Sequence, residues 1–395
     1  MPAFSGTLNS NEIFAALYNM IISQEVFADN IKGTNERLVD EARVDGSLYG
    51  DQKLYYATDV LKSAPWLNDS EASNLLSLHR PPAPSCQSIV LDIFRQISLT
   101  VDYYLSKRAW GTEGAFSAFN SVMLGWLRET KRVYDATTFN AYIGTAVSAA
   151  TKGSLSIDLS TALSGLSGIE AVRMQALTIA EAIANLFVEL RDVMRDYNDY
   201  AYLRSYDDYD LKIVWNSAWV NKIRKVDLPT IFHNEGLVDK FEERILPARF
   251  FGVVLTSSNA STYEYNASTN PTGPLTESSG TYTVSTASGR LAVRTKVEQD
   301  FVVGGTTYHL FAGDRLPNGA TFTLTGGSAN PDIYVEDANI IAKVMHNRSV
   351  PFMSAFETGT SFFNPKSLTE NHYLTWGHNT IEYLKNYPFI TIKAV

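Results

Sequence analysis

Thr112–Tyr134 reads TEGAFSAFNSVMLGWLRETKRVY, and the spacing within it decides the architecture. Phe116, Phe119, Met123, Trp126 and Val133 fall three, four, three and seven apart, with Thr130 halving the last step. That pattern predicts one apolar stripe along an α-helix. Thr112 with Glu113 can start the helix, the thread GWLRETKRVYD turns its charges to the other face, and no proline interrupts before Asp135. At 1.5 Å per residue the segment reaches roughly 35 Å, a beam on which other elements can pack. It carries no catalytic motif, so its role follows from its surroundings.

Upstream, residues 1–45 form an arm. A short amphipathic helix, Asn11 to Phe27 (Ile13, Phe14, Leu17, Ile21), precedes a polar tail with Asp29, Lys32, Glu36, Arg37, Asp40 and Glu41. This is too little apolar surface for a core, so the arm must pack on something else, a neighbouring subunit being one candidate. Residues 46–105 predict a long hairpin: KLYYATDVL (Lys53–Leu61) favours a strand, and the tip Ser63–Pro84 holds Pro65, Pro81, Pro82 and Pro84. Cys86–Tyr103 returns with Ile89, Leu91, Ile93, Ile97, Leu99 and Val101 in period two. A long, partly apolar projection is more often a binding element than an accident.

Downstream, residues 106–159 hold the beam and a strand at SLSIDLS. Residues 160–255 alternate helices and strands: a helix from Gly168 to about Tyr200, with Ile179, Ile183, Leu186, Leu190, Val193 and Tyr197 on one face, the strand LKIVWN, a helix around Ser217–Lys225, and an apolar strand Ala248–Leu255. Composition changes at Thr256; from there to Arg290 only Glu264, Glu277 and Arg290 are charged. Residues 256–335 therefore read as an all-β insertion, with Tyr308–Phe311 and Ala320–Leu324 flanking the turn AGDRLPNG as a hairpin. Its scarce charge leaves its edges poorly protected from pairing. In residues 336–395, Ile340–His346 and the aromatic-rich Phe352–Phe363 precede the closing strand YPFITIKAV, which is expected to complete a sheet with segments from far upstream. The fold class is α+β.

Bulk properties exclude several functions. The chain has 395 residues, a formal charge of −9 and a pI near 5.3, which argues against coating nucleic acid by charge neutralisation. Cys86 is the single cysteine, so neither an internal disulfide nor a cysteine zinc cluster is possible. The N-terminal sequence lacks the basic start of a secretory signal and no apolar run approaches bilayer length, so the chain is expected to fold in a cytoplasm. The sequons at Asn259 and Asn266 then read as chance matches in a Ser/Thr-rich region.

Chemistry-bearing motifs are missing: no phosphate loop, GxGxxG turn, GxSxG elbow or HExxH helix. His79, His233, His309, His346, His372 and His378 are scattered, and the His372/His378 pair has no nearby carboxylate to complete a metal or acid–base site. Asp192, Asp196, Asp199, Asp207, Asp208 and Asp210 could hold a divalent ion or accept a partner's arginines, against a plainer reading as a solvated helix end. The tyrosines among them, Tyr197, Tyr200, Tyr202, Tyr206 and Tyr209, suit an interface. Glu242, Glu243 and Arg244 read equally well as surface charges, and Cys86 has no local base. No catalytic, cofactor-binding or metal-ligating residue is assigned, and neither enzymatic activity nor a cofactor is expected.

The run into the beam, ISLTVDYYLSKRAWGTEGAF, together with DLPTIFHNEGLVDKFEERILPARFFG and YPFITIKAV, resembles the major capsid proteins of tailed double-stranded DNA phages, short-tailed ones first. These share the HK97-like capsid fold with herpesvirus capsid floors. The resemblance implies an N-terminal arm (1–45), an extended β-hairpin loop (46–105), a peripheral domain with a spine helix (106–159), an axial domain (160–255), an inserted β region (256–335) and a return to the peripheral domain (336–395). It further implies self-assembly into pentamers and hexamers of an icosahedral shell, scaffolding and portal partners, and enclosure of DNA without sequence-specific binding. Some family members crosslink a loop lysine to a neighbour's asparagine; Lys53 and Lys62 lie in the loop, but the sequence selects no matching Asn or Glu. A rival reading, from the Ser/Thr-rich β region and abundant Tyr and Trp, is a carbohydrate-binding or adhesin module.

Overall fold

The computed structural model describes residues 36–45, 52–63, 65–66, 78, 80–102, 113–224, 242–324 and 329–395; the helix expected at Asn11–Phe27 lies outside these. At the centre is a five-stranded sheet in the order Ser154–Ile157, Phe389–Ala394, Ile340–His346, Leu211–Asn216, Glu242–Leu246. Its inner pairs are antiparallel and its two edge pairs parallel. Strand periodicity sorts the side chains. Leu211, Ile213, Trp215, Ile390 and Ile392 join a core with Ile179, Ile183, Leu186 and Leu190 of the helix Gly168–Arg191. Val214, Met345 and Phe389 face the other way, onto Phe139, Tyr142 and Ile143 of the long helix. Two helices thus sandwich the sheet whose last strand is the chain's C-terminus.

That long helix is Glu113–Thr145, 33 residues and about 50 Å, so the beam outlasts the expected end at Tyr134. Residues 135–145 include three threonines, an asparagine and a glycine, all poor helix formers. Burial overrides propensity: Ala136, Phe139, Ala141 and Ile143 are almost fully enclosed. The expected stripe is also displaced. Trp126 is 50% exposed and Val133 only half-buried, while Leu127, Lys131, Tyr134 and Thr138 form the buried line, one residue or about 100° around the helix. The hydrophobic pattern misled because the inward face includes Lys131 and Asp135, which pair with each other. The side chains of Phe116, Phe119 and Met123 lie outside the described residues.

A second, elongated sheet has the order Arg43–Asp45, Phe352–Asn364, Thr369–Asn379, Ser85–Asp102, Gln52–Ala57. Its 18-residue strand Ser85–Asp102 spans about 60 Å. The expected hairpin is corrected here. Only residues 85–90 pair with the outgoing Gln52–Ala57, whereas residues 91–102 pair with Thr369–Asn379, almost three hundred residues later. Local periodicity identifies a strand but not its partner. Leu127 and Tyr134 of the long helix pack on Leu374 and Trp376 of this sheet.

Three other expectations change. The helix from Gly168 stops at Arg191, not near Tyr200: the Asp192 carboxylate accepts from Val193 N, and Asn198 clips a turn by accepting from Tyr202 N and donating to its carbonyl. The apolar stretch at 248–255 begins as a 3₁₀ turn, Ala248–Phe250, before the strand Gly252–Thr256. Within the β region, Thr306–Leu310 pairs with Gln299–Val303 and Thr321–Thr323 with Thr281–Val284, so AGDRLPNG bridges two small sheets and does not close one hairpin. Asp314 accepts from Phe311 N, and Arg294 donates to Gly313 O where φ is 88°, fixing that crossing.

Gly168–Arg191 also amends the expectation about bilayer length, being long and apolar enough by composition to cross one. One face sits on the central sheet, however, and Glu170, Arg173 and Glu181 are exposed, which is the pattern of a core-facing helix.

Candidate functional site

The candidate is a set of surfaces for contact with other chains. The short hairpin Gln52–Ala57 with residues 85–90 leaves Leu54, Tyr56 and Val90 exposed, and the segment beyond it exposes Val60, Leu61, Trp66 (97%) and Leu78 (81%). Most of the tip, residues 67–77, lies outside the described residues.

The root of this projection is held by polar bonds. Arg195 Nη1 donates to Asp59 Oδ2 at 2.6 Å, and Asp59 Oδ1 accepts from Leu203 N at 3.0 Å. The Arg195 bond, then the Leu203 amide, hold the Asp59 carboxyl down at about 2. Arg204 donates to Thr58 O at 2.6 Å and to Asn386 Oδ1 at 3.1 Å, while the Ser85 and Tyr202 hydroxyls lie 2.6 Å apart. The acidic, tyrosine-rich run is therefore the socket of the projection. Tyr197 and Tyr206 are buried, Tyr200 and Tyr202 half-buried, and only Tyr209 is largely exposed.

The arm segment 36–45 is clamped by two ionic clusters. Asp135 Oδ2 takes Lys131 at 3.0 Å and Arg43 at 3.3 Å, and Lys131 reaches Glu357 at 3.2 Å, so arm, long helix and elongated sheet meet at one buried carboxylate. On the other side Glu41 binds Lys212 and Arg244, which also hold Glu242. Burial pushes the Glu41 carboxyl up, but the bonds from Lys212 and Arg244 outweigh it and its pKa is lowered. Glu242 and Arg244 are thus parts of a clamp, not free surface charges.

At the far end of the elongated sheet, Phe362, Phe363 and Leu368 are exposed. A cleft of about 810 Å³ separates the sheet from the long helix there, lined by Gly125, Leu127, Glu357, Gly359, Ser361 and Leu374 among others.

The remaining singled-out residues have structural surroundings. Asp199 accepts from Ser148 Oγ at 2.8 Å and Tyr383 OH at 2.5 Å, and Asp208 from Arg191 at 3.4 Å. Among the described residues, no three His, Cys, Asp or Glu side chains gather where one metal ion could be held. His378 is fully buried against Tyr134, and His372 lies 3.9 Å from Glu370, which corrects the expectation that the histidine pair has no carboxylate nearby. Cys86 is exposed on the hairpin, and Lys53 lies 5.8 Å over the Tyr55 ring. In the β region, Arg290 sits 3.6 Å over the ring of Tyr265, covering one face a sugar could stack on. Sequence reasoning passed over the Lys131–Asp135 pair and the buried Lys343; the one available signal was Lys131 and Asp135 at i,i+4 within the beam.

No protein-family model matches the sequence, and no curated protein matches it. Solved structures do. A chain of the capsid structure of Staphylococcus phage Andhra superposes with a TM-score of 0.51 at 12% identity, covering 100% of this chain and 88% of that one. A chain from the structure of the head fiber and inner core protein gp22 of native bacteriophage P68 gives 0.52 at 13% identity, covering 89% and 83%. At such identities the likeness is one of fold: the mixed α+β arrangement described above is one found among phage capsid structures.

Proposed function

We propose that this chain is a structural subunit of a phage head, self-assembling into pentamers and hexamers of an icosahedral shell that encloses double-stranded DNA. The observation that carries this reading is the projection with a fixed root and exposed apolar side chains among its described residues. Leu61, Trp66 and Leu78 are each held out in water by a base tied down through Asp59, Arg195 and Arg204. Burying each such side chain would contribute about 1.5–3 kcal/mol, so a neighbouring copy is the natural acceptor. Association by many contacts of this modest size, with closure set by interface angles, builds a shell. The −9 charge suits a container that does not grip its contents. Scaffolding and portal proteins are the further partners this role requires, and the virion shell, assembled in the host cytoplasm, is its location. The role calls for no catalysis and no cofactor.

Negative-stain microscopy of the expressed chain, alone and with its phage's scaffolding protein, tests the proposal. Capsomers or shells are expected. A small oligomer that never assembles under either condition overturns it. Deleting residues 67–82 should abolish shells while leaving the subunit's unfolding transition intact.

A further inference from the structure

Thr358–Asn364 reads TGTSFFN and contains no charged residue. Among the described residues its only strand neighbour is Thr369–Asn379, because Arg43–Asp45 pairs with residues 352–354 alone. Among the described residues one backbone edge is therefore open along this stretch, and Thr358 to Phe363 are all exposed. Natural edge strands are blunted by lysine, proline, a bulge or a cover. Between Thr358 and Asn364 none of the first three is present.

The cleft beside this edge is the second observation. Glu357 and Gly359 pair with Trp376 and Leu374, which pack on the long helix, so Glu357, Gly359 and Ser361 share the face toward it, which by strand alternation also carries Phe363. A Cβ built on Gly359 or on Gly125 across the cleft meets nothing within 4 Å. There is room over Gly359 for a large side chain arriving from outside.

We infer that this edge pairs, antiparallel, with the same edge of a second copy about a two-fold axis through Ser361. A two-fold normal to a sheet keeps each residue on its own face, so Ser361 meets its counterpart, Thr360 meets Phe362, Gly359 meets Phe363 and Thr358 meets Asn364. Each Phe363 ring then covers the other copy's Gly359 and enters its cleft, and each Thr360–Phe362 pair joins a β-branched and an aromatic side chain.

Neighbouring registers fit worse. An axis through Thr360 leaves Gly359 facing Ser361, and one through Phe362 sets it against Pro365, which has no N–H to give. A ladder of seven residues is small beside the roughly 1,200 Å² of a standard stable interface. It therefore acts as one contact within a larger assembly, and to that extent rests on the shell reading.

Cysteine crosslinking in a Cys86→Ser background tests the pairing. Directly opposite residues in an antiparallel ladder have Cα atoms about 4.5–5.5 Å apart, within disulfide range. Ser361→Cys should give covalent dimers as the main species under mild oxidation. Thr358→Cys should not, since its two copies would lie about 20 Å apart along the ladder; Thr358→Cys with Asn364→Cys should restore the dimer. If Ser361→Cys misfolds, the double variant alone decides. Shells that form without crosslinks from Ser361→Cys or from the double variant overturn the edge pairing and leave the shell reading standing. Register-specific dimers from a chain that never forms shells support the pairing and overturn the shell. Crosslinking equally efficient from Thr358→Cys alone overturns the register.

Discussion

Lys343 Nζ donates to the carbonyl oxygen of Ala146 at 2.7 Å, just past the last residue of the long helix, and to Thr391 Oγ1 at 2.8 Å. The helix has no basic residue in its own last turn. An amine from the middle strand of the central sheet takes that place, donating to a carbonyl at the end of the helix. The bond ties the end of the beam to two strands of the sheet beneath it, so displacement at one is felt at the other.

Burial pushes the Lys343 amine down to about 7, with Lys393 adding to the effect and Asp337 opposing it. An unfolded lysine titrates near 10.4. Between those values the unfolded chain binds a proton that the folded chain does not, so stability rises with pH across that window. Urea unfolding at pH 7 and pH 9.5 should show a gain for the natural chain that Lys343→Met lacks. At pH 9.5 the variant should be less stable by about 1–3 kcal/mol, having left Ala146 O and Thr391 Oγ1 unpaired. Parallel pH profiles for the two chains would refute this account.

The socket of the projection offers a local test. Arg195→Ala removes the strongest bond to Asp59 while touching no large apolar core residue. Limited proteolysis should cut between residues 58 and 85 markedly faster in this variant, with the global unfolding midpoint little changed. Because the Asp59 carboxyl is held at about 2, lowering the pH to 4 should not by itself release the root in the natural chain. Equal cleavage rates in variant and natural chain would argue against the socket.

How much of this was legible in the sequence depends on the range of the interaction. The strands LKIVWN and YPFITIKAV carried their own periodicity, and the beam's existence followed from the spacing of its apolar residues. What the spacing could not supply was partnership. Ser85–Asp102 looks identical in sequence whether it returns along Gln52–Ala57 or leaves to join Thr369–Asn379, because both partners satisfy the same alternation. The end and inward face of the beam were misjudged for a related reason: Lys131, Asp135 and Asn140 are polar by type yet buried by context, and Arg43, which helps neutralise that site, lies more than ninety residues upstream. The tyrosine-rich run showed its affinity for contacts, but the partner proved to be the chain's own hairpin.

Two glycines on the beam predict opposite outcomes for one substitution. A Cβ at Gly144 would lie 2.1 Å from the carbonyl oxygen of Phe250, where the helix meets the 3₁₀ turn Ala248–Phe250. A Cβ at Gly125 would meet nothing. Alanine is the better helix former by about 1 kcal/mol, so Gly125→Ala should stabilise the subunit by up to that amount. Gly144→Ala should destabilise it by several times as much, since backbone must move to admit the methyl. Thermal unfolding of both variants checks the pair, and a shift of the same sign in both would show that the close approach at Gly144 is not rigid.

Tyr134 and His378 join the beam to the elongated sheet through a bond whose proton positions can be deduced. His378 Nδ1 lies 2.8 Å from Asn379 O, which can only accept, so Nδ1 carries the proton. Nε2, 2.8 Å from Tyr134 OH, must then accept from the phenol. Burial lowers the His378 pKa, and the ring stacks on Phe352 at 5.3 Å, so the neutral tautomer is the native one. His346, stacked on Tyr387 at 4.2 Å, is pushed down by burial to about 4. Both folded-state values lie below the roughly 6.5 of an unfolded histidine, so stability should fall as pH drops below that value, and replacing both with glutamine should flatten the decline. Tyr134→Phe leaves Nε2 without its donor in a closed site and should cost about 1–3 kcal/mol in urea unfolding at pH 7. A loss below about 0.5 kcal/mol would mean that the phenol does not hold the beam to the sheet.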